Sequence, residues 1–504
     1  MRPPDRIADI LILIIGVVVL SFSIYQADTA SFTHDESLSY LNYTHYNFMH
    51  ILRHESAYTN NHLLNTLGMK YSELLFGSSE LSIRLPNIMA LVLYMIFSFL
   101  LFKKYDRWFA LAAFIILISN AYLIDLFSMA RGYGLSFGFM FMTIYFLIRS
   151  VKDPERQLFS ILFHVAALLA ALSNFTMLLM YAAALIVHVA VSLLQILFYG
   201  EKTANSWKVI GTHIIMLVVS VAFLFRPVLH LVESNTFDFG GRTTFIESTV
   251  RTVMTNGFYG SNLSPNSIIV LSYIAIILIG IMLAKIVTSM TNYRIRGSEL
   301  SLELVVSNSL LISICVITII QHYVTGSDYL IDRFAFFLWP LFLLNFLFVI
   351  QLFWDHPKKW IPRGFTFFLA GILGIFFLRS AEPQILAQWG YDTHTKKAME
   401  QIALDIALNE KENVRIGCNW LYEPTLNFYR STRHMNNVLP IEKHTDLSPI
   451  GYDHLFISSE QAEQMDLSDF EETARYEPYE CIVLRRTNKS KQTPALPLQD
   501  ANAD

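Results

Sequence analysis

Cysteine is almost absent from this 504-residue chain: Cys315, Cys418 and Cys481 are too few for a disulfide framework and form neither a CxxC pair nor a Cys/His zinc pattern. Charge is scarce as well. Only 15% of the residues are Asp, Glu, Lys or Arg, against roughly 25% in soluble domains. The 37 basic and 41 acidic residues leave a net −4, so there is no basic excess to receive nucleic acid. No glycine-rich phosphate loop and no short-period repeat occurs. Apolar residues are what the chain has in abundance. They make up 54% of it, with 14% aromatic and a mean hydropathy of +0.42, which excludes disorder and leaves a multi-span membrane protein.

Apolar stretches near span length occur at about 7–26, 86–102, 108–124, 133–149, 158–173, 176–199, 207–225, 267–287, 302–323, 334–354 and 364–380, predicting a mainly α, polytopic bundle of about eleven spans. The first run, Ile7 to Tyr25, is too long for a signal-peptide core, and Gln26-Ala27-Asp28 is a poor cleavage site, so it reads as an uncleaved span. Placing the N-terminus in the cytoplasm puts Arg2, Arg6, Lys103, Lys104, Arg107, Arg149, Lys152, Arg156, Lys202, Lys208, Lys285, Arg294, Arg296, Lys358, Lys359 and Arg363 inside. The short outer connections then hold only Arg131 and Arg333, as the positive-inside rule requires. An odd number of spans puts the C-terminal tail outside.

This topology divides the chain into a membrane unit at 1–381 with outer loops at 28–85 and 226–266, an outer domain at 382–486 and a disordered tail at 487–504. In the first loop, Leu38, Leu41, Phe48, Met49 and Leu52 share one helical face, and Leu63, Leu64, Leu67, Tyr71, Leu74 and Leu75 another. Two such helices suit the membrane surface, or packing on the bundle. The outer domain reads as small and α/β: helices at Thr395 to Leu408 and from Glu423-Pro424, and strands at Val414 to Cys418, Asn437 to Ile441, His454 to Ile457 and Cys481 to Leu484. Cys418 and Cys481 are either strand-core thiols or a pair.

The polar residues that need a reason lie on the outer side. Asp35 and Glu36 are adjacent carboxylates just past the first span; one should be raised in pKa unless an arginine or metal compensates. A helix start, with Asp35 as cap and Glu36 in the first turn, is the plainer account. Arg84, Arg131 and Arg333 sit at outer span ends against the positive-inside bias and call for anionic partners. Those partners could be lipid headgroups, or Asp328 or Asp332 for Arg333. Together, a carboxylate and several guanidiniums suit chemistry on a phosphate whose lipid tail stays in the bilayer, since arginine forks hold phosphate bidentately and a carboxylate can take a proton. His62, between the two amphipathic helices, either binds phosphate or sugar or is simply solvated.

The motifs His34-Asp35-Glu36, Asn60-Asn61-His62-Leu63-Leu64, Ser82-Ile83-Arg84-Leu85-Pro86, Ala130-Arg131-Gly132-Tyr133 and Asp332-Arg333-Phe334 with Pro340 follow in this order on one side of the membrane. In that arrangement the chain resembles the GT-C superfamily of integral-membrane glycosyltransferases. The likeness is closest to the bacterial branch related to protein O-mannosyltransferases and the lipid A aminoarabinose transferase. It covers about the first 380 residues. It implies a polyprenyl-phosphate sugar as donor, a glycan, lipid or protein hydroxyl as acceptor, and transfer at the outer face of a bacterial cytoplasmic membrane. It also implies Asp35 as general base with Glu36 beside it, Arg131, Arg333 and Arg84 as phosphate ligands, and His62 and Tyr133 as substrate contacts. Relatives often carry His-Pro-Pro where this chain has Asn61-His62-Leu63, which puts His62 in question. Some superfamily members use a divalent ion, for which Asp35, Glu36 and Asp238 could in principle supply oxygen ligands; no metal or other cofactor is assigned.

Two other classes share the span count. A transporter or lipid flippase should show related halves, interrupted helices or ionisable groups near span centres; His164, His188 and His213 do lie within or near spans, but isolated histidines there more often hydrogen-bond between helices than relay protons. A non-catalytic envelope assembly factor would use the outer domain for docking and tolerate change at Asp35.

Overall fold

The computed structural model describes residues 3–55, 60–199, 206–233, 240–296, 301–354 and 360–487. Its membrane part runs α1 (Pro3–Thr29), α2 (His34–Tyr43), α3 (Phe48–Leu52), α4 (Leu63–Phe76), α5 (Glu80–Phe102), α6 (Arg107–Ile118), α7 (Ala121–Phe127), α8 (Gly132–Lys152), α9 (Gln157–Ser173), α10 (Met177–Tyr199), α11 (Ser206–Glu233), α12 (Arg251–Gly257), α13 (Pro265–Arg296), α14 (Leu302–Thr325), α15 (Asp332–Ala335), α16 (Leu338–Gln351) and α17 (Trp360–Ser380). Among the described residues, eight helices, counting Asp332–Gln351 as one, are long and apolar enough to cross a membrane. The α6–α7 pair makes a ninth if its 72° bend is one broken span. Helix α9 and the Met177–Leu193 part of α10 are apolar but shorter. The eleven expected windows thus overlap apolar helices without amounting to eleven spans, and 108–124 is not a continuous rod. Asn120 breaks it. Its side chain accepts from Leu123 N at 2.7 Å to start α7 and donates to the carbonyls of Asn256 and Gly257, competing with helix continuation.

The bundle core is mainly aliphatic and aromatic, from Ile12 on α1 to Leu373 on α17. The three span histidines meet between helices: His164 Nδ1 lies 2.7 Å from Tyr181 Oη, His164 Nε2 lies 2.8 Å from His213 Nδ1, and the His188 ring contacts that of His213. Interhelical hydrogen bonding, which the sequence suggested, is seen for His164 and His213.

The first loop departs from expectation. Its leading helix stops at Tyr43, and the side it buries is polar, with Glu36, Ser37 and Ser39, rather than the Leu38/Leu41 stripe. Phe48 and Met49 stay exposed. The reason is that α2 packs on α4 and on the C-terminal domain. Helix α4 does rest on the bundle, through Leu63 against Leu168 and Leu172, while Tyr71, Leu74, Leu75 and Phe76 at its far end remain exposed.

Beyond Ser380 come α18 (Thr395–Leu408), β1 (Ile416–Cys418), α19 (Glu423–Thr432), β2 (His454–Ser458), α20 (Ser459–Glu463), β3 (Phe470–Tyr476) and β4 (Cys481–Arg486). The sheet order is β1-β2-β4-β3, with β1 parallel to β2 and the rest antiparallel. Alternate residues serve two faces. Ile416, Cys418, Phe456 and Val483 pack under Met399, Ile402 and Leu426, whereas Leu455, Ile457, Ile482 and Leu484 face Tyr452, Met465 and Leu467. Strand β3, Phe-Glu-Glu-Thr-Ala-Arg-Tyr, was not anticipated: as a half-exposed edge strand it carries too little apolar alternation. The strand expected at Asn437 to Ile441 reduces to a single bridge between Val414 and Val438. Cys418 and Cys481 are buried and free, on strands that β2 separates. Of the expected tail, all but Thr487 lies outside the described residues.

Candidate active site

The two neighbouring carboxylates point into different environments. Thr33 caps α2 and forms a capping box with Glu36, placing the Glu36 side chain back toward the bundle. There it meets Arg84 on α5: Nε to Oε1 at 2.8 Å and Nη2 to Oε2 at 2.7 Å. The remaining Arg84 donors go to the carbonyls of Ala27, Ala30 and Ser31 at 3.0, 2.9 and 2.8 Å, and Glu36 also accepts from the backbone N–H groups of Thr33 and Ala130. Both side chains are 0% exposed. A fork whose donors all face protein acceptors has none left for a lipid phosphate, and the buried Glu36 carboxylate so bonded fits the first-turn account that the sequence also allowed. The pair instead fastens the end of α1, the first loop, α5 and the α7–α8 connection together.

Asp35 faces the other way. Its Oδ2 lies 3.3 Å from Arg333 Nη2, 4.0 Å from Arg131 Nη2 and 3.2 Å from Trp389 Nε1. Burial alone would raise the Asp35 pKa, but Arg131 and Arg333, with His34 and the Trp389 N–H, outweigh it and hold the carboxyl below its usual range. The expected repulsion between adjacent acids is thus relieved by giving each its own arginine. Asp328, one alternative partner for Arg333, pairs with Arg242 instead.

The arginines are held from several sides. Arg131 precedes the first turn of α8 and is 2% exposed; its Nη1 donates to Ser39 Oγ and the Asn60 carbonyl, both at 2.9 Å, while its buried Nε has no partner among the described residues. Arg333, on α15 and 24% exposed, donates from Nε to Tyr133 Oη at 3.1 Å and from Nη1 to Gln388 Oε1 at 3.2 Å, and lies over the rings of Phe334 and Trp389. His62 is not the solvated loop residue that one reading allowed. It precedes α4, is buried, sets its ring edge-on to Tyr133 at 5.2 Å, and leaves Nε2 unpartnered among the described residues. Burial, then the charges of Arg131 and Arg333, push its pKa well down, so it is neutral at pH 7. Gly132 makes this crowding feasible: a Cβ there would sit 1.8 Å from the Ser173 carbonyl oxygen and 2.9 Å from His62 Cβ.

Asp35, His62, Arg131, Tyr133 and Arg333 therefore converge, and Glu36 and Arg84 form the adjoining frame. Sequence reasoning missed Gln388 and Trp389, which come from the segment before α18; a tryptophan beside a glutamine in an otherwise polar tail was the only signal. Among the described residues no group of three or more His, Cys, Asp or Glu is arranged to hold a metal ion, and Asp238 lies outside them. An ionised carboxylate, two fixed guanidiniums and a neutral imidazole can accept a proton and stabilise a departing anion.

A family model described as dolichyl-phosphate-mannose-protein mannosyltransferase matches residues 66–225, a stretch that includes Arg131 and Tyr133. No curated protein matches the chain. Among solved structures, the chain is similar to ArnT from Cupriavidus metallidurans in the apo state, with 14% identity over 94% of this chain and 97% of that one and a TM-score of 0.45. The same protein bound to undecaprenyl phosphate gives 15% identity, 95% and 98% coverage and a TM-score of 0.44. The arabinosyltransferase EmbB from Mycobacterium smegmatis gives 12% identity over 83% of this chain and 42% of that one, with a TM-score of 0.40.

Proposed function

We propose that this protein is a membrane glycosyltransferase that moves a sugar from a polyprenyl-phosphate donor to a hydroxyl acceptor at the outer face of a bacterial cytoplasmic membrane. The observation that carries the reading is the meeting of Asp35, Arg131 and Arg333, 96 to 298 residues apart in sequence, at the loop-bearing end of an apolar bundle. Charged groups at the edge of hydrocarbon are costly and mark function. The described match to a mannosyltransferase family over residues 66–225 supports the same class.

In this scheme the acceptor hydroxyl attacks the anomeric carbon as Asp35 takes its proton, and the bond to the lipid phosphate breaks with both electrons leaving on the phosphate oxygen. Arg131 and Arg333 hold that oxyanion, and Tyr133 and His62 line the sugar side. One displacement by one carboxylate inverts configuration, unlike hydrolases that flank the bond with two acids. Residues 1–381 supply the acid and the guanidiniums, and 382–486 pack against the first loop. No metal is assigned a role.

The test is transfer of label from a radiolabelled polyprenyl-phosphate sugar to a polar acceptor by purified protein. Asp35→Asn and Asp35→Ala should abolish transfer without loss of membrane insertion. Full activity in either variant, or vectorial movement of lipid with no transfer of sugar, would refute the reading.

A further inference from the structure

The chain does not simply leave the bundle after α17. Residues 381–394 run back across its loop-bearing end and are tied down on the way. Gln26 Nε2 of α1 donates to the Glu382 carbonyl at 3.2 Å, and Thr29 Oγ1 donates to the Pro383 carbonyl at 3.1 Å. The Ala387 N–H donates to Asp125 of the broken α6–α7 pair at 2.9 Å, and Asp125 is itself held by Gln26 at 2.8 Å. Asp392 accepts from the His34 N–H at 2.7 Å, one residue before Asp35. Leu386 and Trp389 are 2% and 3% exposed. Between these anchors Trp389 Nε1 reaches Asp35 and Gln388 Oε1 reaches Arg333. A loop serving only as a tether would need none of these bonds.

We infer that Trp389, carried on this strap, is a positioning residue for the transfer reaction: its indole N–H fixes the orientation and proton affinity of the Asp35 carboxylate, so that the segment leading into the outer domain completes the active site. The inference rests on the reading of Asp35 as the general base. The groups facing Asp35 are Arg131 from the α7–α8 connection, Arg333 from α15, His34 from its own helix, and Trp389, Tyr391 and Asp392 from the strap. Of these, Trp389 is the uncharged donor whose removal leaves every ionic partner in place. A donor to a carboxylate favours its charged form, so losing it raises the pKa and moves the acid limb of activity upward.

The experiment is the pH dependence of kcat/KM for donor transfer by the full-length protein, comparing the parent with Trp389→Phe and Gln388→Ala. Trp389→Phe keeps an apolar ring beneath Arg333 and lacks the N–H. Its acid limb should move up by about one pH unit, with the plateau far less affected. Gln388→Ala should leave the limb in place and raise the donor KM, since it releases one arm of the Arg333 fork. Trp389→Leu, also without a donor, carries the same expectation as Trp389→Phe should the latter fail to fold. An unmoved limb in a folded Trp389 variant, while Asp35→Asn is inactive, overturns the role of Trp389 and leaves the proposed function standing. An active Asp35→Asn removes both.

Discussion

Neutralising Glu36 and neutralising Asp35 should produce opposite defects although the residues are adjacent. Glu36→Ala takes away both carboxylate oxygens that receive Arg84 at 2.8 and 2.7 Å, and leaves a guanidinium charge with 0% exposure facing only backbone carbonyls. Removing one partner of a buried pair typically costs about 3–5 kcal/mol, because the surviving charge has no compensation. The backbone N–H groups of Thr33 and Ala130 lose their acceptor as well, at roughly 1–3 kcal/mol each if they stay unsatisfied. Against a total stability of about 5–15 kcal/mol, such losses should show as a lowered unfolding midpoint in detergent and reduced folded yield, with activity falling in proportion. Asp35→Asn keeps an acceptor oxygen in a site that is 16% exposed and should lower the unfolding midpoint far less than Glu36→Ala does, while transfer falls by about 10²–10⁴-fold, the usual contribution of a general base. Thermal unfolding and transfer assays on the same preparations separate the two. A Glu36→Ala protein as stable as the parent, or an Asp35→Asn protein destabilised as much as Glu36→Ala, would refute the division of labour between the two acids.

Arg333→Lys retains charge but not the planar fork shared among Asp35, Tyr133 and Gln388, so transfer should fall by about 10²–10³-fold, measured as kcat/KM for the donor. Gly132→Ala should impair folding itself, since the new methyl would collide with the Ser173 carbonyl at 1.8 Å and neither helix end can yield freely; a normal unfolding midpoint would contradict this. Because the folded Asp35 pKa lies below its unfolded value of about 3.9, its contribution to stability is present above that value and lost as pH falls through the lower folded one. Parent protein should therefore be more resistant than Asp35→Asn near neutral pH, and the difference should vanish in strong acid, as unfolding measured across pH would show.

Much of the site could be read from sequence because charge at the edge of an apolar span needs a reason, and Asp35, Arg131 and Arg333 stood out on that ground alone. What could not be read was which arginine paired with which acid. Spacing places Glu36 at the third position of α2 just as well as in a cavity, and only the path of α5 past the end of α1 commits it to Arg84. The α2 stripe misled for a related cause: apolar periodicity reports the face that meets oil or core, while this helix turns Ser39 toward Arg131 to build a polar site. Trp389 was invisible because its partner lies 354 residues away and the strap that delivers it has no periodicity.

The histidine contacts within the bundle decide something that oiliness cannot. Lipid chains are as apolar as leucine, so nothing in hydrophobicity tells α9, α10 and α11 how far to turn about their own axes. The links from His164 to Tyr181 and His213, and from Tyr181 to Ser220 at 2.8 Å, supply that angle. Twisting any one of the three by a single residue would strand an imidazole or phenol in hydrocarbon, so this small polar latch sets the azimuth of helices that otherwise have every side alike.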